Sequence, residues 1–82
     1  MSYVLQLKGR LQELKMKQME YETAIKAKLR AALDIIANWH KPLEDIDIEA
    51  AYIHLKEARE QKKQLKKILS EIKEIKRDLG EE

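Results

Sequence analysis

Apolar residues recur at alternating steps of three and four along nearly the whole chain. Val4, Leu7, Leu11, Leu14, Gln18, Tyr21 and Ile25 form one series. Ile48, Ala51, Leu55, Ala58, Lys62, Leu65, Leu69, Ile72, Lys76 and Leu79 form a second. This spacing predicts two long helices, each with a heptad seam down one side. Only Asn38-Trp39-His40-Lys41-Pro42-Leu43-Glu44-Asp45-Ile46-Asp47 interrupts it. Pro42 lacks a backbone N–H and pushes Lys41 out of the helical region. The reading is a first helix over about residues 2–38, a hinge at about 39–45, a second helix over about 46–79 and a short acidic tail at 80–82. Asn38 is expected to end the first helix in the left-handed conformation. Asp45 or Asp47 is expected to cap the second, with Glu49 suiting the dipole of its first turn, and Gly80 is expected to stop it.

Folding the chain back at Pro42 brings the seams into one register. Val4 meets Leu79, Leu11 meets Ile72, Leu14 meets Leu69, Gln18 meets Leu65, Tyr21 meets Lys62 and Ile25 meets Ala58, and each pair of residue numbers adds to 83. Beyond Ile25 the first stripe steps by four to Leu29 and runs on through Ala32, Ile36 and Trp39, which reads as a stutter in the supercoil.

Much apolar surface is left over. Leu5, Gly9, Gln12, Met16, Met19 and Thr23 form a further stripe nearly opposite the first seam, and Ile68 and Ile75 flank the second. Near the hinge, both helices are apolar all round, which normally means burial all round. A lone hairpin cannot provide that, and two helices alone make a marginal core. The expected fold class is therefore all-α, a single antiparallel coiled-coil-like hairpin that dimerises into a four-helix bundle.

Composition and charge narrow the function. The 82 residues contain no cysteine, two glycines and one proline, and 39% are charged. A disulfide framework is excluded, and a strand-rich fold lacks the turn residues it needs. No apolar run approaches the roughly 18 residues of a membrane span. The N-terminus shows no basic region followed by an apolar stretch, so no secretory leader is expected and a cytoplasmic location is. Net charge is only +2, but it is unevenly placed. Residues 1–30 and 50–79 each carry net +4, and residues 31–49 carry net −4. The shaft is basic and the hinge acidic.

Candidate chemistry is sparse. His40 and His54 are the only histidines and lie too far apart for a helical metal clamp, so both are read as solvent-facing. Asp45, Asp47 and Glu49 lack the ligand number and the glycine of a calcium loop, which leaves capping. Trp39 either plugs the end of the core or stands out as a binding anchor. The basic run Gln61–Lys67 reads as a solvated face, with the Lys62 stem lying opposite Tyr21. Lys62, Lys63, Lys66 and Lys67, level with Lys15 and Lys17, are the candidate contacts if the partner is a phosphate backbone.

The segment HKPLEDIDIE resembles the turn that enters the second helix of the all-helical chorismate mutases, through His40, Pro42, Asp45, Ile46, Asp47 and Glu49. That resemblance implies an intertwined helical dimer acting on a dianionic substrate. Ile25, Ile36 and Ile48 stand where that family has its basic groups, and the second helix runs on to Leu79 in place of a separate third one. The match is therefore read as shared turn chemistry.

The functional expectation is a non-enzymatic protein–protein interaction module, acting as scaffold, adaptor, small chaperone or stoichiometric inhibitor. Its partners are itself, as a homodimer or higher, and another protein. No cofactor, metal, membrane or small-molecule substrate is expected. The association surface is placed at Ile35, Ile36, Trp39, Ile48, Tyr52 and Ile53, with Met16 and Met19 as a further apolar contact. The alternatives are a nucleic-acid-associated accessory protein and, more remotely, a mutase-like enzyme.

Overall fold

A computed structural model describes residues 2–38 and 40–80 of the chain. Two helices, α1 (Tyr3–Ile36) and α2 (Ile48–Asp78), pack against each other along their length and are joined by a turn containing a short 3-10 segment, Leu43–Asp45. The molecule is a rod of 62 × 18 × 14 Å with a radius of gyration of 18.4 Å. A compact body of this length would have a radius near 12 Å.

Each helix end has a local cause. The Ser2 hydroxyl accepts from Leu5 N–H at 3.1 Å and caps α1. At the other end no non-glycine residue takes a positive φ among the described residues, so Asn38 is not left-handed. Instead its side-chain amide donates to the Asp34 carbonyl at 3.0 Å, satisfying one of the last free acceptors of α1. Asp47, rather than Asp45, caps α2, with its Oδ1 accepting from Ala50 N–H at 3.0 Å. Gly80 ends α2 with φ of 72°, where a side chain would be strained.

Burial corrects the seam. In α1 a series of half-buried and buried positions runs Leu7, Leu11, Leu14, Gln18, Tyr21, Ile25, Lys28, Ala32 and Ile35, with Glu22, Ala24 and Ala31 half-buried beside it. These steps alternate without interruption, so there is no stutter. Leu29 and Ile36, expected on the stripe, are 47% and 39% exposed. In α2 the seam is Ala51, His54, Ala58, Gln61, Leu65, Ile68, Ile72, Ile75 and Leu79. Half of the expected set is right, and the rest is displaced by one residue. Ile48, Leu55 and Leu69 are 66%, 42% and 41% exposed, Lys62 faces solvent and Lys76 is half-buried at the flank. Leu14, only 1% exposed, packs in one cluster with Ile68, not Leu69. Tyr21 likewise lines a groove with Gln61, not Lys62.

The overall register stands. Two ion pairs between the helices, Arg10–Glu71 and Lys28–Glu57, have residue numbers adding to 81 and 85, which bracket the expected 83.

The core is uneven along the rod. Its large apolar cluster lies in the half away from the hinge: Leu11, Leu14, Ile68, Ile72 and Ile75, with Leu7, Tyr21 and Leu79 packed against it. The middle of the seam is polar, with Gln18, Lys28, His54 and Gln61 at seam positions. His54 is therefore half-buried, not solvent-facing, and its Nδ1 and the Gln61 Oε1 are enclosed without hydrogen-bond partners. Each such atom costs about 1–3 kcal/mol. Toward the hinge the fully buried residues, among those described, are only Ala32, Ala51 and Ala58. The fully buried side chains of the hinge half are thus small, while Ile35 is only half-buried and most of the other described large apolar ones face outward.

Candidate interaction surface

The exposed apolar residues are not scattered. In an antiparallel helix pair, residues just before a seam position on either helix share one flank, and residues just after a core position share the other. The first flank carries both of those ion pairs, through Arg10, Glu57 and Glu71. Arg10, Lys17, Ala24, Gln64 and Glu71 also line a groove there. The opposite flank, toward the hinge, carries Leu29, Ile36, Ile48 and Leu55, with Leu33 and Tyr52 in the row outside them. All six are large and 39–66% exposed. Their spacing is 29, 33, 36 on α1 and 48, 52, 55 on α2, steps of four and three on each helix. Together they make a patch on the order of 500 Å² when each large side chain presents roughly half its area, which is the size class of functional patches on monomers.

The structure sorts the expected site residues accordingly. Ile36, Ile48 and Tyr52 belong to this patch. Ile53, 53% exposed, lines a groove with Lys56, Glu57, Glu60 and Gln61 on the opposite flank. Ile35 is half-buried on the seam. Met16 and Met19, 62% and 68% exposed, lie along the shaft away from the patch. Trp39 lies outside the described residues. Leu29, Leu33 and Leu55 complete the patch; on the expected seam Leu29 and Leu55 would have been inside it. The signal that finds them is a second three–four series parallel to the first on each helix.

Electrostatics differ sharply along this flank. Beyond the patch its two rows on each helix carry Lys8, Lys15, Lys26, Arg59, Lys62, Lys66, Lys73 and Lys76 against a single acid, Glu22. Lys15, Lys62 and Lys66 of the candidate phosphate contacts are in this set. Lys17 and Lys67 line the groove of the opposite flank, and Lys63 pairs with Glu60 at 3.2 Å. At the tip, Glu44, Asp45 and Glu49 are exposed. Among the described residues, none of Lys26, Arg59, Lys62, Glu44, Asp45 or Glu49 forms an ion pair within the hairpin.

At the edge of the seam, the Lys28 ammonium bonds the exposed Glu57 carboxylate and holds its pKa below the ordinary value, first through that hydrogen bond and then through its charge. The positions compared with the mutase turn hold no converging cations. Ile36 and Ile48 present exposed hydrocarbon, Ile25 is half-buried on the seam, and Asp47 caps α2. No group of three or more His, Cys, Asp or Glu suited to a metal occurs among the described residues, and no described helix is long and apolar enough to cross a membrane. No family model, curated protein or solved structure matches the chain.

Proposed function

We propose that the chain is a non-enzymatic interaction module that works by self-association through the apolar flank next to its hinge. The observation that carries this is the inverted hinge half: alanines inside, and Leu29, Leu33, Ile36, Ile48, Tyr52 and Leu55 outside. A helix pair gains little by keeping six large apolar side chains in water, and covering them supplies the burial that the hinge half lacks internally. The surface area agrees. The accessible surface is 6525 Å², whereas a compact protein of 9.7 kDa exposes about 5,100 Å². The excess exceeds the roughly 800 Å² per partner of a standard interface.

Tyr52→Asp tests this reading. Tyr52 is 60% exposed, so the variant keeps its helices. In an interface the new carboxylate loses its water, at a cost of several kcal/mol. Light scattering is expected to show the mass of more than one chain for the native protein and of one chain for the variant, with unchanged circular dichroism. A native mass of one chain at all concentrations, with oligonucleotide binding that weakens steeply with salt, would replace this reading with the phosphate-backbone one.

A further inference from the structure

We infer that the occupant of the hinge patch is a second copy of this chain laid antiparallel to the first, so that the acidic tip of each copy rests on the basic shaft of the other. The inference rests on the self-association proposed above and adds its geometry. A two-fold contact through the patch has two simple forms. In the parallel form both hinges lie at one end and the shafts run side by side. That form stacks eight basic residues of one flank, relieved by one acid, against the same eight. In the antiparallel form only the hinge halves overlap and the shafts point apart.

Helix rise then says what meets what. Taking 1.5 Å per residue from the level of Leu33 and Tyr52, Glu49 lies about 5 Å toward the tip, with Glu44 and Asp45 beyond it. On the shaft side, Lys26 and Arg59 lie about 10 Å from that level and Lys62 about 15 Å. A two-fold axis through the patch carries the tip of one copy onto this zone of the other. The three tip acids and the three shaft bases are all exposed, and none of them forms an ion pair within the hairpin among the described residues. Each copy supplies both sets, so the contact closes on itself and stops at two chains.

Charge reversal tests the orientation. Glu44→Lys with Asp45→Lys reverses the tip, and Arg59→Glu with Lys62→Glu reverses the shaft. All four sites are exposed, and circular dichroism checks that the helices remain. By sedimentation equilibrium at low salt, each reversal alone is expected to raise the dimer dissociation constant about tenfold or more. All four substitutions in one chain are expected to restore it. The native dimer is also expected to loosen as salt rises, because attraction is being screened. In the parallel form neither reversal weakens the dimer, and salt tightens it. If that is found while Tyr52→Asp still dissociates the protein, the antiparallel arrangement is wrong and the self-association reading stands. A native protein that is a single chain throughout overturns both.

Discussion

Ile68 and Leu69 are adjacent, nearly equal in volume and opposite in environment, at 7% and 41% exposed. Truncating each to alanine removes three carbons, worth about 0.8 kcal/mol apiece when fully buried. At Ile68 nearly all of that is lost, and the neighbours Leu14 and Ile72 are left facing a cavity, so the cost is about 3 kcal/mol. At Leu69 solvent already reaches the side chain and fills the gap. Alanine's slightly better helix propensity offsets part of the loss, and about 1 kcal/mol remains. The gap of about 2 kcal/mol is roughly 30-fold in the folding equilibrium. It is a large share of the 4–12 kcal/mol expected of a chain this size. Urea unfolding followed by circular dichroism measures it. The titration is run at two protein concentrations tenfold apart, because association adds its own stabilisation. Leu69 lies two heptads beyond Leu55 and outside the hinge patch, so in the proposed antiparallel dimer it stays outside the contact. Equal losses, or a larger loss for Leu69→Ala, would refute the seam described above.

Two further outcomes follow from local contacts. Asp47→Ala removes the acceptor for Ala50 N–H and is expected to cost about 1 kcal/mol in the same urea titration. Asp45→Ala, which removes no cap, is expected to cost little. Because the Glu57 pKa is lowered in the folded state, its pairing with Lys28 stabilises the protein fully above the ordinary carboxylate pKa of about 4.3 and fades as pH falls through the lower folded value. Glu57→Gln is therefore expected to flatten the acid side of a stability-against-pH curve, and an unchanged slope would contradict it.

The two helices, the hinge, the capping role assigned to Asp45 or Asp47 and the register were legible in the sequence for a common reason. Each rests on local chemistry, or on a periodicity that survives an error of one residue. The phase of the seam was not legible. On α2 two series share Ala51, Ala58, Leu65, Ile72 and Leu79, and they differ only in what fills the steps between. One adds His54, Gln61, Ile68 and Ile75. The other adds Leu55, Lys62, Leu69 and Lys76. Counting apolar residues cannot separate them, since each offers two large aliphatics and two polar groups. Packing against α1 decides it, with Leu14 closing on Ile68. The same ambiguity hid the candidate surface. Leu29 looks like the natural heir to Ile25, yet Lys28 takes the inner position and reaches Glu57 on the other helix, which leaves Leu29 outside. A heptad with two apolar rows holds two messages, one for the neighbouring helix and one for whatever lies beyond it.

The uneven core also sets the order in which the hairpin assembles. Ala32 and Ala51 meet after closing a loop of 19 residues, whereas Leu11 and Ile72 must close one of 61. The longer closure costs about 1 kcal/mol more in chain entropy. The cheap closure joins small side chains that gain little, and the expensive one joins the large aliphatic cluster. Zippering is therefore expected to begin at the turn, through contacts that barely hold, with the strongest contacts forming last. Interactions made after the rate-limiting step slow unfolding without speeding folding. On that order the aliphatic end would act as a latch on a weakly held hinge, and substitutions at Ile72 are expected to appear almost wholly in the unfolding rate. An equal effect on the folding rate would place that cluster in the nucleus instead.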